Sequence, residues 1–389
     1  MSGFPSFPFG DPGAFADAPL FRELQRVMSA SHGPVNWELA RQVGIASAVE
    51  AGADPEPTDE DHHILEEAAR VAELHVARFT GLPAPSDVAP VRGVRRAGWV
   101  NANAESLKAL LDPAAERITD AIERSAGDQL PSEMGQVAGF FRQLSPLLLG
   151  TQVGQVLGML AQRVLGQYDV AVPRPGTGEV LFVVPNLAAF ERDWSLDPRE
   201  FRTFVALHEV THRFEFGRPW VRDRFRALLD DYLATVRIDL EGMQSRLATI
   251  DPTDPQALQS LAESEEGLFG AQLDDEQRLK LGRIQAFMAA AEGYGDHVMR
   301  ALGAELLGSY ARIEEAMRRY REEERGDPVF ERLLGVEMKR EQYATGRAFC
   351  EFVVEQTDEA TLSRMWESAE SLPSLPELDE PRLWLARTV

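Results

Sequence analysis

Cysteine is almost missing from this 389-residue chain, histidine is scarce and basic residues are outnumbered. The one cysteine, Cys350, excludes an internal disulfide framework. Set in the apolar run RAFCEFVV, it reads as a buried, inert thiol in a reducing compartment. Forty Lys and Arg against sixty-three Asp and Glu give a formal net charge of −23. The acids are spread along the chain, which favours solubility and argues against nucleic acid as a partner. No uninterrupted apolar run reaches membrane-spanning length. The most lipid-like window, LLLGTQVGQVLGMLAQRVLG, is broken by Gln152, Gln155, Gln162 and Arg163 and reads as a buried helix of a soluble protein, so no membrane partner is expected. The N-terminus lacks a basic start followed by an apolar stretch, so a cytoplasmic location is expected. Neither GxxxxGK[ST] nor a strand-linked GxGxxG occurs, which removes the usual signs of a nucleotide phosphate site.

What is present is mostly helical periodicity. Residues 1–19, rich in Phe, Pro and Gly, read as an extended arm. From Pro19 onward apolar residues recur at spacings of three and four through PLFRELQRVMSA, VNWELARQVGIASAVEA, TDEDHHILEEAARVAELHVARFTG, NANAESLKALLDPAAERITDAIERSAG and EMGQVAGFFRQLSPLLLGTQVGQVLGMLAQRVLG. Gly150, Gly154 and Gly158, four apart, would let another backbone come close. The loop DQLPSE marks an expected boundary between an N-terminal helical domain, 20–130, and a second domain, 131–389. EVLFVVPN (179–186) is the best strand candidate and YDVAVP a second. Helices then resume up to the Pro-rich tail SLPSLPELDEPRLW. The fold class expected is mainly α, with α+β character confined to a small sheet.

SLDPREFRTFVALHEVTHRFEFGRP is the most sharply delimited helix, with Asp197 as N-cap, Pro198 at the first position, Glu200 three after the cap, Gly217 at the end and Pro219 beyond. His208 and His212 lie four apart on one face and can meet one cation, the spacing that zinc needs. Glu209, about 100° further round, is too far turned to be a ligand but can reach a water on the metal's open position, which makes it the candidate base. The bland alternative is a helix carrying surface or core histidines. A catalytic zinc takes three protein ligands. In the metzincin arrangement Gly and His follow the second histidine by three and six; Glu215 and Arg218 stand there, and that arrangement is excluded. The gluzincin arrangement takes a Glu from a later helix, with an Asp four residues beyond to orient a ligand imidazole. MAAAEGYGDHVM offers Glu292 and Asp296 in those roles. Acidic pairs four apart are common in so acidic a chain and mostly mark solvated faces, but this one follows five uncharged residues, 287–291, which argues for burial. Gly293 and Gly295 remove bulk there, suiting a metal or an opposing helix. His297, roughly 140° round the helix from Glu292, faces away and reads as structural. Tyr343 and Arg347, on one face of REQYATGR, are candidate oxyanion donors, the alternative being packing or solvent contact. His62 and His63 read as exposed, His75 as half-buried, and Trp37 and Trp99 as packing anchors.

HEVTHRFEF at 208–216 and AEGYGDHVM at 291–299, with GPVNWELAR at 33–41 and GWVNANAESL at 98–107, resemble the zincin-like metallopeptidase family of uncharacterised bacterial proteins, often described as hydrolases or as associated with deazaflavin-coenzyme biosynthesis. The resemblance spans nearly the whole chain. It implies a mostly helical protein with a zincin-like half carrying the site and an N-terminal helical domain, and it strengthens the case for Zn2+ more than for any particular reaction.

The function expected is that of a zinc-dependent hydrolase, most simply a metallopeptidase acting on a peptide or protein substrate. Glu209 would take a proton as zinc-activated water attacks the carbonyl and pass it to the leaving amine, while EVLFVVPN holds an extended substrate by backbone pairing. Two rivals stand beside it: a non-catalytic scaffold or binding protein of zincin fold, and a maturation hydrolase dedicated to one cellular substrate. Retention of Glu209 speaks against the scaffold, since a purely structural metal needs no base.

Overall fold

The computed structural model describes residues 33–50, 52–85, 90–127, 132–168, 179–235, 274–323 and 340–388. The arm at 1–19, the helix expected at 19–30, most of YDVAVP and residues 236–273 lie outside the described residues.

Helix α1 (Trp37–Ala48) starts at Asn36, whose Oδ1 accepts from the Leu39 N–H at 2.9 Å. Helix α2 (Asp59–Thr80) opens with a Thr58–Asp61 capping box and closes on Gly81 at φ +63, a left-handed stop that glycine adopts without strain. Strand β1 (Val91–Val94) leads into α3 (Arg96–Gly127), and α4 (Ser132–Arg163) follows. The glycine stripe of α4 meets α1. A Cβ on Gly150 would stand 2.6 Å from the Asn36 carbonyl oxygen, and one on Gly154 would stand 2.5 Å from that of Ala40. The two backbones touch, as the spacing of the glycines implied.

Strand β2 (Val180–Val183) runs parallel to β1, in register from Val91↔Val180 to Val94↔Val183. Parallel neighbours need a long crossover, and α3 and α4 supply it. All four β2 residues are buried, and Gly166 bridges Phe182 in the antiparallel sense. Of EVLFVVPN only Val180–Val183 forms the expected strand, while Val184, Pro185 and Asn186 open the next helix, with Pro185 in the first turn where its missing N–H costs nothing; the strand is an interior element paired with β1 and bridged by Gly166, which removes the support for its role as a rail for extended substrate.

After β2 come α5 (Val184–Asp193), α6 (Pro198–Phe216), α7 (Pro219–Leu233), α8 (Asp275–Leu306), α9 (Tyr310–Glu323), α10 (Arg340–Gln356), α11 (Glu359–Ser363), α12 (Leu375–Asp379) and α13 (Pro381–Thr388). The fold is mainly α with one small parallel sheet, consistent with the expected class. Helix α6 is its centre, buried along nearly its whole length and packed on α2 and α8. Arg202 of α6 ties three elements together, reaching Glu191 of α5 and Asp61 of α2, each at 2.7 Å. A single hydrophobic cluster runs from Val35 to Trp384. Among the described residues no helix is long and apolar enough to cross a membrane.

Candidate metal centre

Both ends of α6 are set by local chemistry. Asp197 Oδ1 accepts from the Glu200 N–H at 3.0 Å, with Pro198 behind it. Glu200 does not close a capping box; its carboxylate accepts from the Ser309 N–H at 2.8 Å and from the Ser309 hydroxyl, anchoring the helix start to the segment before α9. Gly217 keeps a right-handed φ of −63. The helix ends because Arg218 is extended and Pro219, which has no N–H to donate, begins α7.

On this helix His208 and His212 stand one above the other, ring centroids 4.5 Å apart and planes at 88°. His208 is half-buried and His212 is fully buried. His212 Nδ1 lies 2.8 Å from Glu215 Oε2, and both side chains have no exposure. Its ring stacks on Phe216 at 5.4 Å and 9°, with Tyr168 at 6.4 Å. Its other nitrogen, Nε2, is buried without a hydrogen-bond partner among the described residues. Burial acts to keep the imidazole neutral, but Glu215, then Glu292 and Glu209, outweigh it and push the pKa of His212 up to about 9.

Glu209 is also fully buried. Its Oε2 accepts two backbone hydrogen bonds, from Gln167 at 2.8 Å and Tyr168 at 2.7 Å. A Cβ added to Gly166 would fall on the Glu209 carboxyl group. That turn is itself braced: the Trp99 indole N–H donates to the Gly166 carbonyl at 3.1 Å and the Val183 N–H to Leu165 at 2.9 Å. Helix α3, strand β2 and the 165–168 turn together cradle the carboxylate.

Opposite α6, helix α8 carries Glu292 and Asp296, both half-buried. Glu292 is close enough to raise the pKa of His212. The two glycines between them serve two different contacts. A Cβ on Gly293 would fall on the backbone of Gly346 in α10, whereas one on Gly295 would stand 3.2 Å from His212 Cε1 and 3.4 Å from Nε2. His297 turns away to Glu359, 2.9 Å from its Nε2. Arg347 pairs with Glu351 at 3.8 Å, and Glu351 also receives Arg300 from α8 at 3.1 Å; the i,i+4 partner on its own helix draws the guanidinium there. Tyr343 lies in the first turn of α10, and its side chain is outside the described residues. Cys350 is buried, and burial pushes its thiol well above the usual range, as fits an inert thiol. Trp37 and Trp99 are anchors, the former donating to Asp112 at 2.7 Å.

Among the described residues no group of three His, Cys, Asp or Glu side chains is gathered closely enough to hold a metal ion. The donor set nonetheless suits one: two imidazoles one turn apart, a buried Nε2 with no partner, and a glycine that leaves room in front of it. Sequence reasoning missed two parts of the site. Glu215 could have been found from its spacing of three from His212, which is a helical neighbour position. The amides of Gln167 and Tyr168 carry no side-chain signal and could not.

The sequence profile of the zincin-like metallopeptidases matches residues 35–385, nearly the whole chain. The chain belongs to the zincin-like metallopeptidase family. This zincin-like metallopeptidase family member is also similar to a crystal structure from Chloroflexus aurantiacus described as "a putative hydrolase with a novel fold", at 32% identity and a TM-score of 0.65, covering 91% of this chain and 98% of that one. No curated protein matches. Family membership and this likeness support a hydrolase, and the family implies zinc in general terms.

Proposed function

We propose that this zincin-like family member is a zinc-dependent peptidase, with His208, His212 and Glu292 holding the metal and Glu209 acting as general base. The observation that carries the reading is the buried, unpartnered Nε2 of His212, one turn from His208 and under the electrostatic influence of Glu292. Glu292 would supply the third ligand and Asp296 would orient an imidazole. When bound, zinc supplies Lewis-acid polarisation of a substrate carbonyl and lowers the pKa of water. The chain's own contribution is proton handling. The Gln167 and Tyr168 amides fix the Glu209 carboxylate in one orientation, from which it accepts a proton from the attacking water and returns it to the leaving amine. Full burial excludes bulk water from that carboxylate and strengthens every charge interaction around it. A peptide or protein substrate fits this chemistry, and the net charge of −23 argues against a polyanion.

Purified protein should contain about one zinc per chain, lost in His208→Ala. A peptide-library digest should show cleavage that a chelator stops and that Glu209→Gln abolishes while keeping its zinc. Unchanged zinc content in His208→Ala would remove the site. A second reading, a non-catalytic protein of zincin fold, is favoured by the full burial of Glu209 with one oxygen committed to two amides. It requires that no chelator-sensitive cleavage occurs with any peptide in the library.

A further inference from the structure

The environment of His212 leaves its ring one outlet. Nδ1 is held by Glu215 at 2.8 Å, and neither residue is exposed. Phe216 lies flat against the ring and Tyr168 stands beside it. Among the described residues Nε2 alone has no partner, and it faces Gly295 of α8, where even one methyl group would come within 3.4 Å. A buried nitrogen without a partner is costly unless something occupies its lone pair.

We infer that Glu215 and Gly295 are positioning residues for a divalent cation on His212: with the cation in place of the Nε2 proton, Glu215 holds the remaining ring proton on Nδ1 and so directs the Nε2 lone pair outward, and Gly295 reserves the space into which it faces. The inference rests on the preceding reading that His208 and His212 bind the metal, and in this chain it adds Glu215, three residues after His212, and Gly295 of the opposing helix to the HExxH residues. A carboxylate hydrogen-bonded to the far nitrogen fixes the tautomer and makes the imidazole a stronger donor to the metal. A buried carboxylate serving only to join helices would lie between two elements, whereas Glu215 sits on the same helix as His212, one turn on, and joins nothing to α6 through this contact.

The experiment measures Zn(II) affinity of the full-length protein by competition with a chromogenic chelator, for the wild type and for Glu215→Gln, Glu215→Ala, Gly295→Ala and His208→Ala. His208→Ala, which tests the parent reading, should abolish tight binding. Glu215→Gln keeps the shape and an acceptor oxygen but loses the charge, and should weaken zinc by about 10- to 100-fold, with Glu215→Ala at least as weak. Gly295→Ala should also weaken zinc, although alanine is the better helix former and its melting temperature should not fall. In the zinc-loaded wild type the Nδ1 proton of His212 should appear far downfield in the proton NMR spectrum and move upfield in Glu215→Gln, a change that a merely structural carboxylate would not cause. Wild-type zinc affinity in both Glu215→Gln and Gly295→Ala, with His208→Ala still defective, would overturn this inference and leave the metal site standing. Wild-type affinity in His208→Ala would overturn the site and the inference together. Should Glu215→Ala fail to fold, the near-isosteric Glu215→Gln and the single methyl of Gly295→Ala decide the matter.

Discussion

Replacing Gly166 by alanine should dislodge Glu209, and its effect can be worked out from the structure. Gly166 is not among the glycines with positive φ, so its backbone admits an L-residue without strain. What stands in the way is the neighbouring side chain, since the new Cβ would overlap the Glu209 carboxyl group. To make room, the carboxylate must leave one or both of the Gln167 and Tyr168 amides. Hydrogen bonds to a charged group contribute about 1.5–3 kcal/mol each, and no solvent reaches this site to replace them. Retaining one bond puts the loss at about 1.5–3 kcal/mol, which for a chain of this length lowers the melting temperature by about 2–4 °C. The decisive assay is a double-mutant cycle in urea. With Glu209→Ala as background, the space is already empty and Gly166→Ala should cost less than about 0.5 kcal/mol, which leaves a coupling energy above about 1 kcal/mol. On the proposed function the Gly166→Ala protein should retain zinc, because His208 and His212 project from α6 rather than from the turn, and should lose hydrolytic activity. Equal destabilisation by Gly166→Ala in both backgrounds would refute the cradle.

Three further outcomes follow from the same packing. Trp99→Phe removes the N–H that braces the Gly166 carbonyl and should cost about 1–3 kcal/mol, with faster hydrogen exchange at the Gln167 and Tyr168 amides; unchanged exchange there would mean the brace does not hold the turn. Gly154→Ala sets a Cβ against the Ala40 carbonyl at 2.5 Å and Val43 Cβ at 2.8 Å, so α1 and α4 must part; overpacking of about 1–3 kcal/mol should outweigh alanine's helix advantage of about 1 kcal/mol, and a more stable variant in urea would contradict the contact. The Asp61 carboxyl is subject to burial, which raises its pKa, but hydrogen bonds from Thr58 and the Arg202 charge outweigh this and hold it below the ordinary value. A depressed folded pKa stabilises the fold above the unfolded value of about 3.9 and is lost as pH falls through the folded one, so Asp61→Asn should cost about 1.5–3 kcal/mol at pH 7 and a steadily smaller amount below about pH 4. A gap between wild type and variant that stays constant down to pH 2 in denaturant titrations would sink that account.

Parts of this arrangement were legible because they depend on neighbours along the chain. The pair His208 and His212 shares a face because any α-helix places residues four apart together, and Asp197 caps α6 because a short acid before Pro198 has a free N–H within reach. The stripe Gly150, Gly154 and Gly158 announced a close helix contact, though not that α1 would make it. Other parts were misread where two local signals competed. Glu200 has the spacing of a capping-box partner, yet Ser309, more than a hundred residues away, offers its carboxylate two donors instead. EVLFVVPN has the composition of a strand, but composition does not say whether its edges are open.

The sequence by itself determined a helical protein with an HExxH face in its middle, since periodicity and short-range spacing are properties of the chain's own geometry. Only the tertiary structure decided that Glu209 rests on the amides of Gln167 and Tyr168, that Gly295 rather than Gly293 faces His212, and that β2 lies in the interior. Those contacts join segments tens of residues apart, several of them through backbone atoms that every residue possesses, so no side-chain pattern in the sequence can record them.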